Sequence, residues 1–256
     1  MKKIIALVMA LVLTAGIFTL AGCGSKKEEK TTLIMATHAT FPPYEFKEGD
    51  NFAGIDVEIA GLIAEKLGLE LVINDVDFGS IIGGVQTGKF DMGMAGMTVT
   101  DERKKSVNFT DSYAKGIQSV IVKENGKIKS VDDLKGDGSM KIAVQQDTTG
   151  DIYASSPVDK GGYGDENILR FKAGNDAVQA LVTGKVDAVI TDNEPAKSYV
   201  SKNTGLTILP TAYVEEDYAI CIAKDNPELL EKVNKALNEL KADGSVQKII
   251  DKYIPA

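Results

Sequence analysis

Cysteine is scarce in this chain: Cys23 and Cys221 are the only two in 256 residues, too few for a disulfide framework or a four-thiolate metal site. Histidine is scarcer. The single His38 makes a histidine-based zinc site or a Ser-His-Asp triad conditional on that one residue. Positive charge is also in deficit, with 29 Lys+Arg against 37 Asp+Glu and a net charge of −8. Nothing here would neutralise a run of phosphates, which excludes a general nucleic-acid binder. HExxH, CxxC and Gly-x-Ser-x-Gly do not occur, so no metal, cofactor or nucleophile motif is in evidence. Gly83-x-x-x-x-Gly88-Lys89 comes close to a phosphate loop, but Phe90 stands where Ser or Thr is required, and the segment leads from helix to strand, the reverse of the needed context. What remains is an ordinary globular composition, 43% hydrophobic and 26% charged, long enough for one large domain or two small ones and leaning towards binding.

The one long apolar run lies at the start. Lys2 and Lys3 precede Ile4–Leu13, continued less purely to Ala21, the pattern of a secretory signal over residues 1–22. Leu20-Ala21-Gly22-Cys23 resembles the bacterial lipobox, in which the cysteine thiol receives a diacylglyceryl group before cleavage. An uncleaved transmembrane anchor is the alternative, since the run approaches the ~20 residues of a span. Residues 23–32 are then a lipidated polar tether. The mature chain is expected outside the cytoplasm, held to the cell membrane through Cys23, with Cys221 a buried free thiol.

Leu33–Thr37 reads as a strand, Asp56 as the cap of a helix with Ile59, Leu62, Ile63 and Leu67 at helical spacing, Gly68 as its C-cap, and Leu69–Asn74 as the next strand. This β-α-β unit implies a parallel sheet. A second series begins at Lys141–Val144 and reaches Ile168–Phe171. Between them runs an internal echo: Thr87-Gly88-Lys89-Phe90-Asp91 recurs as Thr183-Gly184-Lys185-Val186-Asp187. Each copy closes a short helix (Ser80–Thr87; Asn175–Thr183) and opens a strand (Met92–Ala95; Ala188–Ile190). Two α/β lobes explain the echo; a chance repeat of a common helix-Gly-strand junction is the other reading. In the echo, Gly96 and Thr98 correspond to Asp192 and Glu194, all just past strand C-termini, where open α/β sheets bind ligands. Later, Asp217–Ala223 reads as a strand, Pro227 starts a helix, and Ser245 caps the last one.

Arg103 comes after the turn at Gly96. Its guanidinium offers a planar fork to a carboxylate, although a solvated charge run accounts equally for Thr98–Lys105. Asp192, at the end of an apolar strand, suits an ammonium, or caps the next helix. Thr148 and Thr149 open a helix whose free amides suit an oxyanion. Phe41, Tyr44 and Phe78 are candidate apolar or cation-π walls, or core. A cationic fork on one lobe and a carboxylate on the other describe a receptor for an α-amino acid zwitterion.

With these segments assembled, Ala36–Phe46 (ATHATFPPYEF), Gly54-Ile55-Asp56, Gly96–Asp111 (GMTVTDERKKSVNFTD), Ala143–Gly150 and Ala242–Tyr253, the chain resembles the type II extracytoplasmic solute-binding proteins of polar-amino-acid ABC transporters, the group that includes the glutamine- and histidine-binding proteins. The resemblance runs from about Leu33 to Ile254. It implies an α/β fold of two lobes, each a mostly parallel sheet flanked by helices, joined by crossover strands near Ala114–Val120 and Glu216–Ile220. Lobe 1 would be 33–117 plus 217–256, and lobe 2 118–216. The implied ligand set is His38, Phe41, Phe78, Gly96, Met97, Thr98, Arg103, Gln145, Thr148, Thr149 and Asp192. In it, Arg103 holds the α-carboxylate with Thr98 and amides near Thr149. Asp192, the Gly96 carbonyl and Thr98 hold the α-ammonium, and Phe41 and Phe78 flank the side chain. His38 falls where relatives often carry an Asp, and Gln146 and Asp147 also depart from the commoner loop residues. A neutral, glutamine-like ligand is therefore expected first, and a basic amino acid second, with Asp77 as a compensating anion. The expected partner is an ABC permease, with the receptor a monomer. The competing classes are a dehydratase on the same fold, which would need His38 or Glu194 as acid or base, and the sensing subunit of a signalling system.

Overall fold

The computed structural model describes residues 30–135, 139–210 and 214–255. The signal segment, Cys23 and the tether up to residue 29 lie outside the described residues. Among those residues no helix is long and apolar enough to cross a membrane.

Thr32–Thr37 pairs in parallel with Glu70–Asp75 along its whole length, joined by the helix Ile55–Leu67, as the periodicity predicts. Ile55, Ile59 and Ile63 recur every fourth residue and are fully buried, and Gly68 takes the left-handed C-cap conformation, φ 67°, which costs a glycine little. The N-terminus differs from expectation. Gly54, not Asp56, is the N-cap, and its φ of 122° comes with backbone so close that a Cβ would sit 2.2 Å from the Tyr44 carbonyl oxygen. Asp56 sits in the first turn, fully buried. Met92–Gly93 adds to the other edge of Thr32–Thr37, and Cys221–Ala223 and Val107–Phe109 complete a five-stranded sheet with antiparallel pairing.

A second sheet orders Ile168–Phe171, Ile142–Gln145, Ala188–Asp192, Ala114–Lys123 and Leu206–Ile208. Its first three strands are parallel and Ala114–Lys123 is antiparallel to Ala188–Asp192. Each sheet has its own apolar layer: Leu33, Ile59, Ile63, Val233 and Leu237 in the first, Ile121, Val178, Leu181 and Val189 in the second. The architecture is thus mixed α/β, two open sheets with helices on their flanks.

The ten-residue strand Ala114–Lys123 also pairs, through its first half, with Glu215–Tyr218. The chain then enters the first sheet at Cys221. The single strand expected over Asp217–Ala223 is therefore two strands, because Tyr218 and Cys221 belong to different ladders. The final helix, Ser245–Tyr253, is capped by Gly244 rather than Ser245. Ser245 is already its first residue, and its amide donates to Asp243 Oδ1 at 2.9 Å.

A small hairpin sheet, Thr40–Phe41, Glu45–Glu48 and Asn51–Ala53, tops the first sheet and sets Phe41 directly opposite Glu45. Contacts that tie the sheets' loops together include Lys172 to Asp77 at 2.8 Å, the Tyr199 hydroxyl donating to the Thr40 carbonyl at 2.9 Å, and Arg103 Nη2 donating to the Asp147 carbonyl at 3.1 Å.

Candidate ligand-binding site

Between these contacts lies a cavity lined by Phe41, Glu45, Phe78, Ala95, Gly96, Thr98, Arg103, Gln145, Thr148 and Thr149. It sits where the strands of both sheets end. Met92–Gly93 leads through the turn at Gly96 (φ 50°) to Thr98 and the helix Asp101–Ser106. Ile142–Gln145 leads to the helix Thr149–Ser155, capped by the Thr148 hydroxyl.

Eight of the sequence-predicted residues meet here: Phe41, Phe78, Gly96, Thr98, Arg103, Gln145, Thr148 and Thr149. Three are not in the lining. Met97 is fully buried in the core beside Ile81, Val85 and Phe90. His38 is buried, its Nδ1 bonded to the Val76 carbonyl at 2.8 Å. Asp192 lies behind the wall, where it accepts a hydrogen bond from the Tyr218 hydroxyl. Although Asp192 is the N-cap residue of Asn193–Lys202, its side chain makes no capping bond. Glu194, its neighbour in the echo, also stays out of the lining, held by Lys197 at 2.6 Å.

Arg103 is the one cationic lining residue. It is only 8% exposed; Nη1 donates to the Thr98 carbonyl at 2.8 Å, and the guanidinium lies over the Phe78 ring, 5.2 Å from its centroid. Burial lowers its pKa, opposed by Glu216 and Asp192, yet a guanidinium stays charged.

Carboxyl groups crowd the other side. Burial pushes Asp192 up to about 7, helped by the nearby Glu216 and opposed by Tyr218 and Gln118. Burial also holds Glu45 well above the usual carboxylate range, with Asp56 adding to the effect. Asp56 itself is pushed up to about 7 by burial, moderated by the Gly96 amide, the Tyr113 hydroxyl and Glu45. Among the described residues, Glu45 Oε2 and Asp56 Oδ1 are both buried without a hydrogen-bond partner.

Sequence reasoning missed Glu45, Ala95 and the wall behind them, Gln118, Glu216 and Tyr218. The signal for Glu45 was available: a hairpin turning at Pro42-Pro43 places it across from Phe41. Cys221 is free and buried as expected, its thiol pushed up to about 12 by burial and so inert as a nucleophile. Among the described residues no His/Cys/Asp/Glu cluster is suited to a metal ion.

Comparison with known proteins shows the family to which the chain belongs. The model of the bacterial extracellular solute-binding proteins, family 3, matches residues 33–256. The arginine-binding extracellular protein ArtP of Bacillus subtilis (strain 168) is 35% identical over 260 residues, spanning 99% of this chain and 98% of that protein. A solved structure of an ancestral arginine-binding protein bound to glutamine shares 40% identity at a TM-score of 0.81, covering 89% of this chain and 99% of its own. A structure of an ancestral arginine-binding protein bound to arginine shares 41% identity at a TM-score of 0.80, covering 88% of this chain and 99% of its own.

Proposed function

Because the chain belongs to the bacterial extracellular solute-binding proteins of family 3, a family of extracytoplasmic proteins, we propose that it is the receptor of an ABC importer and encloses one free amino acid in the cavity between its sheets. The observation that carries the reading is a single space lined by one buried guanidinium, Arg103, and one buried carboxyl, Glu45. Arg103 takes the α-carboxylate. Thr98 and the Gly96 carbonyl take the α-ammonium, with Asp192 behind them to balance its charge, and Phe41 and Phe78 flank the side chain. Ligand contacts to both sheets favour the closed arrangement, because only there are both sets of contacts made.

Arginine is the leading ligand. Among the similar proteins are an arginine-binding extracellular protein and an ancestral one that holds arginine, and the buried carboxyls of Glu45 and Asp192 suit a cationic side chain, as ionising one of them beside it is favourable. The order expected from His38 is thereby reversed. Glutamine is the second reading, supported by the neighbouring structure that holds it. A lipid on Cys23 would keep the receptor near its permease.

Arg103→Ala tests the assignment by isothermal calorimetry with L-arginine. Truncating one partner of a buried charge pair costs ~2–5 kcal/mol, so Kd should rise by well over tenfold. An unchanged Kd in that variant would remove Arg103 from the site.

A further inference from the structure

Glu216, on the strand Glu215–Tyr218, is 5% exposed and does not line the cavity, yet it touches two residues that do. Its Oε2 accepts three hydrogen bonds, from the Thr98 hydroxyl, the Thr149 hydroxyl and the Gln118 amide, each at 3.0 Å. Gln118 Nε2 donates to the Thr149 oxygen as well, at 3.3 Å. Glu216 Oε1 and Gln118 Oε1 are buried with no hydrogen-bond partner. The backbone explains the convergence. Glu216 pairs with Gly116 on one edge of Ala114–Lys123, Asp192 pairs with Gln118 on the other, and Thr98 bridges to Tyr218.

A hydroxyl has one hydrogen to give. Thr98 and Thr149 each lie 3.0 Å from Glu216 Oε2 and 3.5 Å from one another, so the nearer, charged acceptor takes both hydrogens and lone pairs are what their oxygens have left for an occupant of the cavity. Lone pairs favour an N–H donor and repel a carboxylate oxygen. Donors for a carboxylate lie elsewhere in the lining, on Arg103. We propose that Glu216 is a positioning residue that fixes the hydroxyl hydrogens of Thr98 and Thr149 away from the cavity, so that this wall accepts from a primary ammonium and the cleft rejects carboxylic acids lacking one. The proposal rests on the reading of the cavity as an amino-acid site and deepens it: the substrate class narrows to acids with a hydrogen-bond donor at the α position, an α-ammonium above all, and their deaminated and keto analogues are excluded by hydroxyl polarity rather than by size.

The test compares two calorimetric titrations, L-arginine and its deaminated analogue 5-guanidinopentanoate, and repeats the pair with L-glutamine and 4-carbamoylbutanoate. Wild type should prefer the amino acid by about a hundredfold or more, since a site built around a buried polar contact discriminates strongly against ligands lacking it. Glu216→Leu removes the acceptor and frees both hydroxyls to rotate, and the preference should shrink by at least about tenfold. Glu216→Gln keeps an acceptor oxygen and should restore it, a rescue that a merely space-filling role would not separate from the leucine variant. If Glu216→Leu does not fold, Thr98→Val decides instead. Weakening of the amino acid alone supports the assignment, and equal weakening of both ligands, the mark of a hydroxyl that donates to carboxylate, overturns it. An unchanged preference in Glu216→Leu also overturns it while leaving the amino-acid reading intact. Failure of wild type to bind any of the twenty amino acids would overturn both.

Discussion

The Thr87–Asp91 turn of the first sheet and the Thr183–Asp187 turn of the second are built bond for bond alike. In each, the threonine hydroxyl donates to a carbonyl four residues back, Gly83 at 3.0 Å and Gln179 at 2.8 Å. The glycine adopts φ 72° or 75°. Each aspartate grips the neighbouring strand through its carboxylate: Asp91 Oδ2 accepts from Ile34 N at 2.7 Å, and Asp187 Oδ2 accepts from Lys141 N at 2.8 Å. Beyond the turns the two halves diverge. The first strand ends early in a glycine turn that delivers Arg103, while the second runs on to Asp192. One local scaffold, used twice, thus holds a cation on one side of the cavity and an acid on the other. The scaffold sets position and the residues beyond it set charge.

This division is broken most strongly at the charged ends. Asp192→Asn should raise Kd for L-arginine by about tenfold to a hundredfold, within the usual cost of unpairing a buried charge, and should remove a pH dependence that Arg103→Ala retains. In wild type Asp192 sits at about 7, and an incoming ammonium favours its ionised form. Affinity should therefore weaken as pH falls from 8 to 6, with protons released on binding at pH 7, which titrations in buffers of different ionisation enthalpy detect. Affinity that strengthens on acidification would contradict the role.

Without ligand the sign reverses. Asp192 and Asp56 both have folded pKa values raised to about 7, so the unfolded chain binds fewer protons between pH 4 and 7. Their contribution to stability is complete below an unfolded pKa of about 3.9 and is lost as pH rises through 7. The unliganded Tm should fall from pH 5 to pH 8 and fall less in Asp192→Asn, as calorimetric scans would show; an equal fall would place the dependence elsewhere.

The scaffold itself gives smaller effects. Asp91→Ala should destabilise by about 1 kcal/mol, the net value of a hydrogen bond, and Asp187→Ala by less, because its bond is the more exposed of the two. Chemical denaturation measures both, and the reverse order would break the equivalence of the turns. Smallest of all is Lys172→Ala at the cavity mouth. Its ion pair with Asp77 is exposed, and exposed pairs contribute little, so Kd should change by less than about threefold.

Legibility in the sequence divides along the same line. The β-α-β unit and the echoed turns are written in local periodicity and glycine placement, and the Arg103 side of the cavity comes directly from one of those turns. The acidic wall is not local. Asp56 reads as a helix cap, yet its carboxylate accepts from the Gly96 amide and the Tyr113 hydroxyl, 40 and 57 residues away. Glu216 reaches Thr98 across 118 residues, through a register that only the paired crossover strands establish. His38, expected from the resemblance to face the ligand side chain, is buried with its Nδ1 bonded to the Val76 carbonyl.

The most direct test of the central claim, that these sheets enclose an amino acid between Arg103 and an acidic wall, is a thermal-shift panel of the twenty amino acids on the wild-type protein. A ligand that binds only the folded state raises Tm by mass action. The largest rise is expected for L-arginine, with L-glutamine next. No rise with any of the twenty would contradict the claim.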